Sequence, residues 1–320
     1  MAPLTLTIGL SPAPNTQALL DGSVKAKGVD LKIQTRFGEG FDNVGARHRD
    51  IIAGKIDGGE LSISSFILAR MRGLRLRALP VFLSRRFRHR CMYYPVGSPL
   101  RDPSELAGKK ITIHRYNATT PVWLKGILQN EHGVKPESVE WFVAEPDIAE
   151  ESLHLPPPEI RVRFIPAPRT REHAVELLER GELDAALEPY EALAANPKLR
   201  RIFPDYHRVE EEFFRRTGAF PINHLVVLRE DIAAAHPEIV ESLLTAFREA
   251  EGLAGRYRNE KQKAEAGRER KVMGEEFVYS LNRGCARRSL ETLITYQIQQ
   301  GILDQKPDID GLFFPQTLNV

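Results

Sequence analysis

The sequence has few cysteines, no long apolar run and an N-terminus without a targeting pattern. Cys91 and Cys285 are its two cysteines, and no CxxC pair occurs, which fits a reducing compartment. No segment approaches the roughly 18 to 20 apolar residues of a membrane span. The N-terminus lacks the basic and apolar regions of a signal peptide. We therefore expect a cytoplasmic protein that does not enter a membrane.

Motifs for the common organic cofactors and for nucleic acid are also missing. There is no GxGxxG, no Walker loop and no lysine in a cofactor-binding pattern. The net charge of +2 provides no overall attraction for nucleic acid. We therefore expect neither an organic cofactor nor a nucleic-acid partner. The length of 320 residues is sufficient for two lobes with separate cores.

One short pattern occurs twice, as GKIDGG at residues 54–59 and as GELDAA at residues 181–186. Each copy follows a segment with helical periodicity, its glycine suits a helix C-cap, and the residues after it are typical of a buried strand. A helix-glycine-strand unit used in both halves predicts two α/β lobes built alike. Small ligands usually bind in the cleft between such lobes.

Strand patterns alternate with helical patterns along most of the chain, which predicts an α/β fold. We expect the chain to leave the first lobe just before residue 97 and to return just after residue 204. Residues 1–96 and 205–320 would then form the first lobe and residues 97–204 the second. The strand patterns cover residues 4–9, 29–34, 61–62, 76–82, 91–96, 110–114, 139–143, 162–165, 184–187 and 224–229.

Hydroxyl and amide side chains are concentrated at three predicted junctions between a strand and a helix, at residues 11–16, 62–65 and 117–120. Such residues cap helices, and a helix N-terminus can also hold a carboxylate through its free N–H groups and its dipole. Both interpretations stay open for each junction. Finding one in each lobe indicates a small anionic ligand, with the candidate contacts Ser62, Ser64, Asn117, Thr119 and Thr120.

The densest charged segment is SRRFRHR, residues 84–90. It could be a solvated strand edge, a nucleic-acid contact or part of a site. We favour the site, because guanidinium groups bind carboxylates with two parallel hydrogen bonds. Arg85 and Arg88 would then hold carboxylates while His89 lies beside the reacting atom.

His224 and Glu60 are the remaining candidates for chemistry. His224 opens an apolar strand, where a structural role is common, and Glu60 directly follows the GKIDGG copy of the repeated pattern. A carboxylate beside an imidazole fixes the ring and favours its charged form. Together with His89 they could also form a two-histidine, one-carboxylate site for a divalent metal, although no HxH or HExxH spacing supports it.

The quoted segments resemble the 4,5-dihydroxyphthalate decarboxylase family. The resemblance covers nearly the whole chain and is most specific in SRRFRH at residues 84–89 and FPINH at residues 220–224. It implies a two-lobed periplasmic-binding-protein type 2 scaffold, in which each lobe is a mixed sheet flanked by helices and the ligand lies between the lobes. It also implies non-oxidative decarboxylation of a hydroxylated aromatic acid.

Three hypotheses follow from the residues and the resemblance. The first is a cofactor-independent carboxy-lyase, with His89 or His224 as the proton donor and His89 preferred. The second is a non-catalytic binding protein for a small aromatic or sulfonated acid. The third adds a divalent metal to the first. A small aromatic carboxylate is the expected partner, and a homo-oligomer is possible in each case.

Overall fold

A computed structural model describes residues 3–37, 43–144, 158–166, 168 and 170–320. The chain divides into two compact units. The first unit contains Met1–Arg85, Ile222–Leu290 and Pro307–Val320, and the second contains Arg86–Pro221 and Glu291–Lys306. None of the helices in the described ranges is both long enough and apolar enough to span a bilayer.

The first unit is built on a five-stranded mixed sheet of order β2-β1-β3-β11-β4. Strand β1 pairs in parallel with β2 and β3, whereas β11 runs antiparallel to β3 and β4. The strands are β1 Leu4–Gly9, β2 Val29–Gln34, β3 Gly58–Ser62, β4 Leu76–Arg85 and β11 Ile222–Arg229. Its helices are α1 Gln17–Leu20, α2 Asn43–Ile52, α3 Ile63–Met71, α8 Glu230–Ala235, α9 Glu238–Leu253, α10 Glu260–Met273 and the start of α11 Ala286–Gln299.

The second unit has a six-stranded mixed sheet of order β10-β5-β9-β6-β7-β8. Strand β6 pairs in parallel with β7 and β9, and β5 runs antiparallel to β9 and β10. The strands are β5 Met92–Pro95, β6 Lys110–Ile113, β7 Glu140–Val143, β8 Arg161–Phe164, β9 Ala185–Leu187 and β10 Leu199–Arg201. Its helices are α4 Thr119–His132, α5 Arg171–Glu179, α6 Glu191–Ala195 and α7 Tyr206–Thr217.

The two copies of the repeated motif occupy matching places in the two sheets. Gly54 and Gly181 both have positive φ, 69° and 75°, after a helix. The aspartate of each motif then accepts a backbone N–H from the neighbouring parallel strand. Asp57 Oδ2 binds the Thr7 N–H and Asp184 Oδ2 binds the Lys110 N–H, each at 2.8 Å. The motif therefore fixes the register of β3 against β1 and of β9 against β6.

The two glycines after Asp57 allow unusually close strand packing around β3. A Cβ on Gly58 would lie 2.2 Å from the Val227 carbonyl oxygen of β11. A Cβ on Gly59, whose φ is +132°, would lie 2.2 Å from the Gly9 carbonyl oxygen of β1. Because side chains are absent at both positions, Glu60 is brought close to both neighbouring strands.

The limits of the units differ from the lobe limits expected from the sequence, which lay at 96/97 and 204/205. Strand β5, residues Met92–Pro95, pairs with β9 and β10 of the second sheet, so the division falls earlier, after Arg85. The second division falls later, after Pro221. Residues Glu291–Lys306 also cluster with the second unit, since a Cβ on Gly126 of α4 would collide with the ring of Tyr296.

Candidate functional site

A short hydrogen bond joins two of the candidate residues in the first unit. His224 Nδ1 lies 2.6 Å from Glu60 Oε1. In the antiparallel pairing of β11 with β3, Glu60 is opposite Val226 and His224 is opposite Ser62. Positions two residues apart on a strand share a face, so Glu60 and His224 are diagonal neighbours within reach of each other. We call this arrangement the Glu60–His224 pair.

The Glu60 carboxylate is buried and is held on both of its oxygens. Oε2 accepts the Ser11 backbone N–H at 2.8 Å and lies 3.2 Å from Arg47 Nη2. Burial alone raises the pKa of Glu60, but the His224 hydrogen bond and the charges of His224 and Arg47 together hold it well below its ordinary value. Glu60 is therefore an anion at neutral pH, placed to fix the orientation of the imidazole.

The opposite side of the His224 ring is the side available for chemistry. The side chain is 18% exposed, and Nε2 has no hydrogen-bond partner within the part of the chain that the structure describes. His48 of α2 packs edge-on against the ring, with 5.2 Å between the ring centroids. The pair thus presents one imidazole nitrogen with a fixed orientation.

Sequence reasoning missed Arg47 and His48, which reach the pair from α2. Both are buried, as is Ile51 on the same helix. Positions 47 and 51 are four residues apart and therefore lie on one helix face. An arginine on the core-facing side of an amphipathic helix, just before GKIDGG, is the signal that could have revealed this partner of Glu60.

His89, the proton donor favoured from the sequence, has a different environment in the second unit. Its side chain is 0% exposed and packs edge-on against Phe203 and Phe213. Nε2 lies 3.7 Å from Glu131 Oε2, and Glu131 is also paired with Arg216 at 2.7 Å. Burial raises the pKa of Glu131, but His89 and Arg216 hold it below its ordinary value. This enclosed geometry favours a structural role for His89.

Two of the four arginines of residues 84–90 already have acidic partners inside their own unit. Arg85 pairs with Glu251 at 2.8 Å in the first unit, and Arg90 makes a two-pronged contact with Glu210 at 3.0 and 2.7 Å in the second. These contacts favour structural roles for both. The predicted role of Arg85 in holding substrate therefore has little geometric support.

Arg88 differs from Arg85 and Arg90, because it is 4% exposed and has no acidic partner within 4 Å among the described residues. Burial lowers its pKa to about 10, and the nearby Cys91 side chain opposes that shift. A buried guanidinium without a carboxylate is suited to an anion. Arg88 thus stays the candidate for holding a carboxylate in this unit.

The hydroxyl-rich junctions at residues 62–65 and 117–120 lie at the starts of helices α3 and α4, as expected from the sequence. Ser62 precedes α3 and Ala118 precedes α4, and neither position makes a side-chain capping hydrogen bond. Five polar side chains at these two helix starts are buried. These are Ser62, Ser64, Asn117, Thr119 and Thr120.

The donor set of the Glu60–His224 pair does not suit a divalent metal. The Glu60 oxygens are occupied by His224, Ser11 and Arg47, and the guanidinium places a positive charge where a cation would bind. Across residues 3–37, 43–144, 158–166, 168 and 170–320, the side chains of His, Cys, Asp and Glu form no group of three that could hold a metal ion. The proposed metal set of His89, His224 and Glu60 has no geometric support.

Comparison with solved structures defines the class of fold. The aliphatic sulphonate binding protein SsuA of Escherichia coli superposes with a TM-score of 0.57 at 14% identity, covering 98% of this chain and 92% of that one. The desulfurization enzyme DSZB superposes with a TM-score of 0.52 at 16% identity, covering 99% and 98%. The chain has the type 2 periplasmic-binding-protein fold, which confirms the fold expected from the sequence.

Comparison with curated sequences then defines the family. No family model matches the sequence. A 4,5-dihydroxyphthalate decarboxylase of Comamonas testosteroni is 30% identical over 260 residues, which cover 79% of this chain and 77% of the relative. The chain belongs to the 4,5-dihydroxyphthalate decarboxylase family.

Proposed function

We propose that this protein is a carboxy-lyase that removes carbon dioxide from a hydroxylated aromatic acid, with His224 as the proton donor. Its relatives in the family are decarboxylases, and 4,5-dihydroxyphthalate is the first substrate to test. The observation that carries the proposal is the 2.6 Å contact between His224 Nδ1 and Glu60 Oε1. It holds the ring with Nε2 directed away from the carboxylate.

The chemistry needs one proton and one electron-rich ring. His224 Nε2–H donates its proton to the ring carbon that bears the carboxylate, while the hydroxyl group para to that carbon supplies electrons and becomes ketone-like. The bond to the carboxylate then breaks, carbon dioxide leaves, and its electron pair restores the aromatic ring. Solvent returns a proton to His224. Glu60 stabilises the imidazolium before it donates its proton and again after solvent returns one, and it orients the ring in between.

Carboxylate contacts are proposed from the remaining candidates. Ser62 and Ser64 follow Glu60 at the start of α3, where the helix N-terminus favours an anion. In the second unit, buried Arg88 is proposed as the cation that binds a carboxylate, and Asn117, Thr119 and Thr120 are the other predicted contacts. No step of the proposed reaction requires a metal, and elemental analysis together with activity after chelation tests that prediction.

Turnover tests the proposal directly. Purified protein incubated with 4,5-dihydroxyphthalate should release carbon dioxide and form 3,4-dihydroxybenzoate in equal amounts. A panel of hydroxylated benzoates and phthalates then identifies the preferred substrate. His224→Asn is the matched negative control. Failure of every acid on the panel to react would contradict the enzyme hypothesis.

The second candidate is a binding protein without catalysis. The fold shared with the sulphonate-binding protein favours it, because one fold can support either binding or catalysis. Calorimetric titration with the same panel would support this alternative if the acid binds reversibly and is recovered intact. Binding with no product over hours would favour it over the carboxy-lyase.

A further inference from the structure

Arg47 is a fully buried cation that contacts Glu60 at two different points. Its Nε donates to the Glu60 carbonyl oxygen at 3.1 Å, and its Nη2 lies 3.2 Å from the Glu60 carboxylate. Its Nη1 donates to Ser11 Oγ at 2.7 Å, and the Ser11 backbone N–H binds the same carboxylate. The guanidinium therefore fixes both the backbone and the side chain of Glu60.

Sequence and packing show that the fold makes room for this arginine at Gly9. A Cβ on Gly9 would lie 2.8 Å from Arg47 Cγ and 2.7 Å from Phe37 Cζ. These separations are too short for ordinary packing. The last residue of β1 therefore has to be glycine for the Arg47 side chain to cross the strand end and reach Glu60.

We propose that Arg47 is a positioning residue for His224, acting through the carboxylate of Glu60. The proposal rests on the function proposed above only in so far as His224 is the proton donor. Arg47 does not touch the outward Nε2 of the imidazole. It fixes the carboxylate that fixes the ring, and it adds a positive charge that sets the proton affinity of the pair.

The electrostatic effect has a defined sign. The groups that face His224 are the anion Glu60 from β3, the cation Arg47 and titratable His48 from α2, and uncharged Ser84 opposite it on β4. Removing the Arg47 charge raises the affinity of the whole Glu60–His224 pair for protons, because a nearby cation disfavours protonation. Loss of the acid form should then occur at a higher pH.

The experiment compares Arg47→Met and Arg47→Lys with Arg49→Met, a matched change two residues along the same helix. In ligand-free protein, the His224 ring nitrogens are followed by nitrogen-15 NMR and assigned with His224→Asn. In turnover, kcat, KM and the pH dependence of kcat/KM are measured. Arg47→Met should lower kcat about 10- to 100-fold with KM within about threefold, as for other residues that orient a functional group.

The pH profile separates positioning from packing. The alkaline limb of kcat/KM should move to higher pH in Arg47→Met and stay in place in Arg47→Lys and Arg49→Met. Gly9→Ala, which displaces the Arg47 side chain, should disturb the His224 resonances in the same way as Arg47→Met. Unchanged resonances and an unchanged limb in Arg47→Met would overturn the proposal.

Further variants distinguish a folding defect from a failure of the proposed function. If Arg47→Met alone does not fold, the double variant Arg47→Met/Glu60→Gln also removes the Glu60 charge that Arg47 no longer compensates. The same NMR and kinetic measurements are then made on Arg47→Lys for comparison. The double variant should fold and move the His224 ring resonances away from their wild-type positions; wild-type resonances in this variant would overturn the proposal. If wild-type protein turns over no acid but its His224 resonances still shift in Arg47→Met, the proposed function fails while the positioning role stands.

Discussion

The two sheets share one strand arrangement but differ at one matching position, which is the residue that directly follows each copy of the repeated motif. The order β2-β1-β3-β11-β4 in the first unit corresponds to β7-β6-β9-β5-β10 in the second, with the same parallel and antiparallel pairings. Glu60 is opposite Val226 in the first unit, and Leu187 is opposite Met92 in the second. An acid in one unit thus corresponds to a leucine in the other.

The comparison extends to the histidine. His224 lies two residues before Val226, and the residue two before Met92 is Arg90, which pairs with Glu210 from helix α7. The first unit therefore has a buried acid that orients an accessible imidazole, whereas the second has an arginine held by a helix. The shared scaffold places these positions alike in both units, but the residues that occupy them decide whether they can act as a catalytic pair.

The largest expected effect separates the two histidines. His224→Asn should lower kcat about 100- to 10,000-fold, the usual contribution of a general acid, while the substrate still binds. His89→Asn should act mainly on stability, because the ring is enclosed by Phe203 and Phe213. Rates are compared per folded molecule, with binding followed by calorimetry. A near-normal kcat in His224→Asn with a large loss of kcat in His89→Asn would instead assign the proton donor to His89.

The next effect compares the acids that face the two histidines. Glu60→Gln leaves the buried Arg47 uncompensated and should lower the free energy of unfolding by about 3 to 5 kcal/mol. Glu131→Gln should lower it by about 1 kcal/mol, because the side chain of its partner Arg216 is 57% exposed. Denaturant unfolding at neutral pH measures both, and equal losses would contradict the difference in burial.

Acidification should reduce the difference in unfolding free energy between wild type and Glu60→Gln. The pKa of Glu60 in the folded protein is below its ordinary value of 4.5. Its ionised form therefore stabilises the fold above about pH 4.5, and this contribution is lost as the pH falls toward the folded pKa. The two unfolding free energies should converge in that range. A gap that stays constant down to about pH 3 would show that Glu60 is not held as an anion.

The repeated motif made much of the fold predictable, because its glycine, aspartate and small residues act locally. The predicted strands agree with β1 and β2 at both ends, and overlap all the others except β10. Strand β10 has only three residues, with two arginines, so it shows little apolar pattern. Its formation depends on pairing with β5, a contact distant in sequence.

The candidate site was only partly predictable from the sequence, because its contacts, like the pairing of β10, join residues that are distant along the chain. Glu60 and His224 were singled out by residue type, but their contact depends on strands separated by more than 160 residues. His89 and its arginines were favoured because charge was dense in the sequence. Density along the chain does not reveal that Glu251 and Glu210 neutralise Arg85 and Arg90.

The smallest expected effect tests whether the two copies of the motif are physically equivalent. Asp57→Ala and Asp184→Ala each remove one carboxylate that accepts a strand N–H at 2.8 Å. Each should lower the free energy of unfolding by about 0.5 to 1.5 kcal/mol, the usual contribution of such a hydrogen bond. Arg229 lies 3.8 Å from Asp57, but this partly exposed pair should add little. Asn at either position keeps an acceptor oxygen and should restore most of the loss. Denaturant unfolding of the four variants makes the comparison. Losses that differ by more than about 1 kcal/mol would mean that the two aspartates do not stabilise their sheets to the same extent, although the motifs are alike in sequence.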